Sequence, residues 1–463
     1  ELTVDQEKPD ASTGGVELGV KFGNARALVN QDEINVEGLD LSIKTVLDGS
    51  PVYQAQVALP VQKIEVLRAE APLATVDGLS VNVDVNGVTQ ALTETISAGL
   101  KVNLEAVHFE EGGMVADVKG LGVHVDALVR SLTSADVDIR FPLESLSFTD
   151  GKGVEAALSN LNFTVDLDGK EFFSGAPLAS TADVKVGLGL GELDATVPGN
   201  KVKLEGMNLS LETGVKPESP LGVSLRVPMD RLKVAQGGKT LLNSENAHIH
   251  LDVTDARVNL EDPQASDANV SWDIDLSPLS TKAAIAKAGN NLDLSLDFAM
   301  AHFKPVAAVL PSSVRKEVQI PWHKLKLNLN TKVALQGLDD PANAFVDQKT
   351  EIDLRGLSVK TPAVQLATPK FTLDMATKGR GAVQKAKVEL SLADLALNGR
   401  DYGEPLSLSL NADANPFGPR VDSRVELKAP LDLYVLLENA VQFKGGSKKL
   451  SYRNRVVVQN LDF

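Results

Sequence analysis

The sequence predicts a mainly β protein, an elongated and repetitive antiparallel sheet that curls into a groove, with a few short helices. Three observations predict this fold: apolar and polar residues alternate along many segments, such a segment returns about every 40 residues, and turn residues separate the segments. Because successive side chains of a strand point to opposite faces, the alternation gives one apolar and one polar face. Repetition at a fixed period is typical of stacked units, as in a taco-like or solenoid-like fold.

The alternating repeat is clearest between Gly78 and Val85, where the sequence reads GLSVNVDV. Related segments begin at Gly38, Gly120, Asn160, Gly206, Ala247 and Asn291. The repeat predicts one elongated body of about 40-residue units over residues 1–463. Its apolar positions predict the residues that line the groove: Leu39, Leu41, Ile43, Leu79, Val81, Val83, Val85, Leu121, Val123, Val125, Leu161, Phe163, Val165, Met207, Leu209, Leu211, Leu292, Leu294 and Leu296.

A second motif has a proline in its second position and then returns to the alternation. It begins at Leu59, Phe141, Val227 and Ile320, and proline-free versions begin at Val102 and Leu188. Its prolines are separated by about two periods of the first repeat: Pro60, Pro142, Pro228 and Pro321. Two interleaved motifs with related periods favour stacked supersecondary units over a closed globular topology.

Four segments depart from the two-residue period and predict short helices. Leu92, Ile96 and Leu100 are four residues apart, which predicts a helix over 88–100. Weaker patterns predict helices over 126–132 and 431–443. Residues 277–316 are the least strand-like part, and we expect an irregular helical insertion there, interrupted by a strand over 292–298.

Composition narrows the classes of partner and compartment. The net charge is −16 and no basic stripe carries interleaved aromatic residues, so nucleic acid is not expected as a partner. The absence of cysteine excludes disulfides and thiolate zinc sites. No apolar run approaches the roughly 18 residues of a membrane-spanning helix, and we expect any targeting or anchor segment to lie outside this sequence.

Candidate chemical motifs have simpler structural explanations. His248 and His250 could begin a metal site, but they alternate with apolar residues and are expected on the polar face of a strand. The glycines of Gly187–Gly191 do not lead into a helix, which favours close packing or a bulge in a strand over phosphate binding. We therefore expect no enzyme activity, no catalytic residues, no metal and no cofactor.

The apolar face of such a sheet has to be covered. A second sheet, closure of the sheet on itself, or a ligand in a trough would each cover it. A repeated aliphatic lining suits flexible acyl chains, which need continuous contact and little directional bonding. The leading prediction is therefore a lipid-binding groove. The alternatives are a structural or adhesive surface repeat with a dry closed core, and an enzyme that acts on carbohydrate or lipid.

The short G-L-x-L-x-V strands, the segment ADLALNGRDYGEPLSLSLNADANPF from Ala393 and the break FKPVAAVLPSSVRK from Phe303 carry a family resemblance. The sequence resembles the AsmA-like family of bacterial envelope proteins, which includes TamB and YhdP. The resemblance implies a repeated β-groove in the periplasm of a Gram-negative bacterium, anchored to the inner membrane through a segment not in this chain. It also implies phospholipids as ligands, transport between the inner and outer membranes, and envelope proteins as partners.

Overall fold

A computed structural model describes residues 2–5, 13–48, 52–88, 96–131, 134–170, 181–215, 221–257, 266–304, 307, 320–337, 340, 343–361, 365–381, 383–393, 396–398, 400–401, 405–414, 420–429, 433–443 and 450–459. Nearly all of these residues are in strands. Among them only Lys304 and Ala307 are α-helical, and the Ala307 N–H donates to the Phe303 carbonyl at 3.0 Å. The prediction of a mainly antiparallel β protein is confirmed.

Most of the strands have nine or more residues. They are β1 (Leu2–Asp5), β2 (Thr13–Val29), β3 (Asp32–Asp48), β4 (Val52–Arg68), β5 (Ala71–Val88), β6 (Ile96–Glu111), β7 (Met114–Ser131), β8 (Ser134–Thr149), β9 (Glu155–Lys170), β10 (Thr181–Val197), β11 (Asn200–Val215), β12 (Leu221–Gln236), β13 (Lys239–Arg257), β14 (Asp267–Leu276), β15 (Leu279–Ala288), β16 (Asn291–Met300), β17 (Lys326–Gln336), β18 (Phe345–Lys360), β19 (Gln365–Arg380), β20 (Val383–Ala393), β21 (Ala396–Leu397), β22 (Arg400–Asp401), β23 (Leu406–Ala414), β24 (Arg420–Ala429), β25 (Leu433–Phe443) and β26 (Leu450–Gln459).

The chain divides into two units, unit 1 (Glu1–His248) and unit 2 (Ile249–Phe463). In unit 1, each strand from β1 to β12 pairs antiparallel with the next. In unit 2 the same meander runs from β14 to β20, and it continues from β20 through β23 to β26. The short strands β21 and β22 pair with each other, and β21 also pairs with β19.

The repeat of about 40 residues corresponds to one β-hairpin in unit 1. Successive hairpins are β3–β4, β5–β6, β7–β8, β9–β10 and β11–β12. The proline motif lies on the second strand of alternate hairpins, with Pro60 in β4, Pro142 in β8 and Pro228 in β12. Its fourth copy differs, because Pro321 precedes a turn at 322–324 and the strand begins only at Lys326.

Most of the helix predictions are wrong. Residues 96–100 belong to β6, 126–131 to β7, 279–288 to β15 and 433–443 to β25, while 89–95, 305–306 and 308–319 lie outside the described residues. In β15 an alanine-rich sequence has high helix propensity, but alternate residues pair across strands, with Ile285 between Val270 and Leu294. The stabilisation from such cross-strand pairs outweighs the helix propensity of alanine, which exceeds that of most other residues by about 0.5 kcal/mol per residue. The strand predicted over 292–298 is confirmed within β16.

Candidate functional site

An uninterrupted row of aliphatic side chains crosses unit 1 from β2 to β12. Each member lies directly opposite the next in the strand register, so all of them share one face of the sheet. This first apolar row consists of Leu18, Ile43, Val57, Val83, Leu100, Val125, Ile139, Val165, Val186, Leu211 and Leu225. At about 4.8 Å per strand, the row is about 48 Å long.

A second apolar row runs beside the first, two residues along each strand. Its cross-strand pairs include Val20 with Leu41, Val81 with Val102, and Phe163 with Leu188, which in turn pairs with Leu209. The Phe141 and Phe163 rings stack in a tilted arrangement in this row, with centroids 5.7 Å apart. Aromatic side chains are rare here, so most of the surface is aliphatic.

Every predicted groove residue of unit 1 falls in these two rows or in the rows that adjoin them. Ile43, Val83, Val125, Val165 and Leu211 belong to the first row, and Leu41, Val81, Val123, Phe163 and Leu209 lie at the level of the second. A third apolar row contains Leu39, Leu79, Leu121, Leu161 and Met207, each opposite another apolar residue. Val85 lies on the other side of the first row, opposite Ala55 and Ala98.

The predicted groove residues are only half-buried. Leu121 is 38% exposed, and the others fall in the intermediate range. Neighbours within a sheet cover the sides of such residues, whereas a second packed layer would also cover their tips and leave them fully buried. In the described part of unit 1 the first and second apolar rows therefore still present side-chain surface outward, whereas Leu143 and Leu190 of the third row are buried.

The rows of unit 2 are less uniform. Leu294 pairs with Ile285 and Val333, but the same row continues through Gln348 and Thr377. Leu296 faces Thr331, and Leu292 faces Lys287. The longest apolar row here was not predicted as lining: Phe298, Leu329, Ile352, Leu373, Leu390, Leu408, Leu427, Val435 and Val458. Its signal was the period-two pattern of strings such as LSLSL.

A transverse line of irregular residues crosses the strands of unit 1 at one level. The register on either side places one residue of each strand on this line: Gly23, Gly38, Gln62, Gly78, Glu105, Gly120, Glu144, Asn160, Gly191, Gly206 and Asp230. Alternate members, on β3, β5, β7, β9 and β11, have φ between +52° and +64°. The sequence pattern predicted repeat starts at these five residues but did not predict their left-handed conformation.

Side chains from neighbouring strands cover the glycines of this line. A Cβ on Gly38 would lie 2.4 Å from the Gln62 side chain, and one on Gly206 would lie 2.0 Å from the Asp230 carboxylate. At Asn160 the roles are exchanged, because the left-handed residue carries the side chain and Gly191 leaves the space for it. Each cross-strand contact therefore combines one polar side chain with one residue that lacks a Cβ.

The line also explains a change in which alternate residues are apolar along β3, β5, β7, β9 and β11. On β3, Ile34 and Val36 are apolar before Gly38, whereas Leu39 and Leu41 are apolar after it. On these strands a left-handed residue interrupts the pleat, which offsets this change and keeps the apolar side chains on one face. The burial of the side chains agrees, since several buried apolar residues directly precede the line on their strands: Val61, Leu143, Leu190 and Met229.

The opposite face of unit 1 is charged and laced with exposed ion pairs. Lys203 Nζ lies 2.6 Å from Glu205 and 3.0 Å from Glu192, and Arg231 lies 3.8 Å from Glu205. The hydrogen bond from Lys203 lowers the pKa of Glu205. Exposed pairs of this kind add little stability individually, and they keep this face hydrated.

His108 gives this face a pH-dependent contact. Its Nδ1 lies 2.7 Å from Asp117 Oδ1, and this hydrogen bond, ahead of the nearby charges, raises the pKa of His108 above 6.5. Because the pKa of His108 is higher in the folded than in the unfolded state, its contact with Asp117 stabilises the folded protein. This stabilisation is complete below the pKa of the unfolded state, and it is lost as pH rises through the pKa of the folded state.

We expect His108→Gln to reduce the urea midpoint of unfolding more at pH 5.5 than at pH 8.5. The matched variant Asp117→Asn should behave in the same way, because it removes the charge that favours the imidazolium. Equal losses for His108→Gln at both pH values would contradict this assignment.

Two cavities of unit 2 have many charged lining residues. One, of about 820 Å³, is lined mainly by lysine, arginine and their neighbours. Another, of about 570 Å³, is lined by residues such as Lys282, Asp297 and Glu351 and also by three members of the longest apolar row, Phe298, Leu329 and Ile352.

His248 and His250 lie in β13, and no group of three or more potential metal ligands occurs among the residues that the structure describes. Within that same part of the chain, no helix has the length and apolarity to cross a bilayer. A scan of protein-family models and searches of curated proteins and solved structures find no match to this chain.

Proposed function

We propose that this protein is a non-enzymatic lipid-binding conduit whose apolar rows in unit 1 shield phospholipid acyl chains as they move between membranes. The observation that carries the proposal is the unbroken aliphatic row over eleven strands, from Leu18 to Leu225. A contiguous apolar patch of this extent on the accessible surface of a protein is typical of an interaction site. The hydrocarbon core of a bilayer is about 30 Å thick, so one tail needs about 15 Å and a 48 Å row accommodates several.

The chemistry of the rows suits acyl chains better than a rigid ligand. Val, Leu and Ile provide contact without directional hydrogen bonds, so a tail can slide along them without breaking a specific interaction. Few side chains in the rows are aromatic, and none of the first row is polar.

We further propose that the protein is a member of the AsmA-like family, and that it acts in the periplasm while tethered to the inner membrane.

Native mass spectrometry of the protein purified from cells without detergent tests the proposal. We expect adducts with phospholipid masses that disappear when the protein is denatured, and organic extraction should recover the same lipids. Protein that carries no lipid in repeated preparations, including after incubation with phospholipid vesicles, would contradict the conduit and favour a dry core.

A further inference from the structure

The charged face of unit 2 carries a concentration of cations that the proposed conduit does not use. A cleft of about 820 Å³ opens between β19 and β26, within the usual volume range of small-molecule sites. Six cations line this cationic cleft: Lys378, Lys385, Lys387, Arg424, Arg453 and Arg455. Among the residues whose side chains the structure describes, two carboxylates also line it, those of Asp422 and Glu438. The described lining therefore carries more cations than carboxylates, in a chain whose net charge is −16.

The strand register gives the spacing of these cations. Lys378 lies directly opposite Lys385 on the neighbouring strand, and Lys385 lies opposite Asp413 on the next. Arg424 lies opposite Glu438, which lies opposite Arg455. The lysines of β20 are two strands from Arg424 and four strands from β26. At about 4.8 Å per strand, these separations are about 10 Å and 19 Å. The lysines and the arginines thus form two groups, side by side on one face of the sheet.

The existing ion pairs leave donors for a ligand. Glu438 Oε atoms lie 3.7 Å from Arg424 and 3.3 Å from Arg455, so one carboxylate is shared by two guanidinium groups. Three of the cations also pair with carboxylates that are not among the lining residues: Lys378 with Asp347, Lys387 with Glu389, and Arg424 with Glu426. About half or more of each of these cationic side chains remains exposed. Exposed pairs are weak, and a phosphate that carries two charges competes effectively with one carboxylate.

We infer that the cationic cleft binds a polyhydroxylated ligand with two or more phosphate groups. The lysine and arginine groups at the two sides would each take a phosphate, and guanidinium is well suited to bidentate phosphate contacts. Between them, Asp422, Glu438 and Asn411 offer acceptors for hydroxyl groups, which a bare polyphosphate would not use. The ligand is either a soluble phosphorylated sugar or polyol, or a lipid headgroup of the same chemistry.

Isothermal titration calorimetry with inositol hexakisphosphate tests the inference, with myo-inositol as the unphosphorylated comparison. We expect binding of the phosphorylated probe alone, and binding that weakens with added salt because the contacts are charged and exposed. The double variant Lys385→Glu/Arg453→Glu should bind at least tenfold more weakly. The matched control Lys326→Glu/Lys360→Glu changes charge equally at exposed residues outside the cleft, and it should bind within twofold of the unmodified protein.

Vesicles distinguish the two sources of the ligand. Phosphatidylcholine vesicles with 10% phosphatidylinositol bisphosphate are compared with pure phosphatidylcholine vesicles in a flotation assay. Flotation of the protein with the vesicles that depends on the cleft cations supports a lipid headgroup, and binding of the free probe alone supports a soluble ligand. No binding of either probe, or equal weakening by both double variants, would overturn the inference. Since these readouts use the charged face, they are independent of acyl-chain occupancy in the apolar rows.

Discussion

Replacing Val83 by Asp is expected to remove most of the bound lipid from this segment of the apolar rows. Val83 lies between Val57 and Leu100 in the first apolar row, so the carboxylate would sit where an acyl chain makes continuous contact. Desolvating an unpaired carboxylate costs several kcal/mol, which corresponds to a loss of occupancy of at least tenfold. Leu209→Asp, in the second row, should have the same effect. Native mass spectrometry of bound phospholipid measures both.

Two matched variants control for the introduced charge. Asn82→Asp and Asn208→Asp place the same carboxylate one residue away, on the opposite face of the same strands. Asn82 lies opposite Lys101, so the new charge has a cationic neighbour. These controls should retain lipid at the level of the unmodified protein. Similar lipid loss in both sets would show that the apolar face is not where lipid binds.

Gly356→Ala is expected to destabilise the protein by about 3 kcal/mol, the largest effect among the glycines. Gly356 has φ +72°, and an added Cβ would lie 2.5 Å from the Lys324 carbonyl oxygen. A backbone atom cannot move aside as a side chain can. Gly206→Ala meets the flexible Asp230 carboxylate instead, so we expect a smaller loss of about 1 to 2 kcal/mol. Urea unfolding followed by circular dichroism measures each loss.

Two further glycines separate steric overlap from backbone strain. Gly199 has φ +84° with nothing within 4 Å of an added Cβ, so Gly199→Ala should show strain alone, of about 1 kcal/mol. Gly19 has neither a positive φ nor a close neighbour, and Gly19→Ala should be nearly neutral. If Gly356→Ala were no more destabilising than Gly19→Ala, the account of this position would be wrong.

The strand pattern of unit 1 was predictable because its signal is local. In GLSVNVDV every second residue is aliphatic, and this alone places Leu79, Val81, Val83 and Val85 on one face. The side-by-side alignment of different repeats depends on register, which the hairpin lengths fix and the periodicity does not. The sequence therefore predicted which residues share a face, and the pairing shows that Val83 has Val57 and Leu100 as neighbours.

Two features were missed for different physical reasons. Ala283 and Ile285 were assigned to a helix because neighbouring alanines hide the two-residue period, and only pairing with β14 and β16 reveals it. The transverse line had a visible signal, a glycine at the start of most repeats of unit 1 and an acidic or amide residue such as Gln62 or Glu144 two positions after the motif proline. The left-handed conformation of Asn160 had no comparable signal, because its glycine lies on the partner strand as Gly191.

Because one repeat corresponds to one hairpin, the length of the sheet across its strands is set by the number of repeats. Duplication of a single unit would insert two strands and lengthen the sheet by about 9.6 Å, while leaving every aliphatic row in alignment with its new neighbours. Evolution can thus adjust the span in whole steps without redesigning the lining. A deletion that removed one strand alone would instead reverse the direction of every strand that follows it.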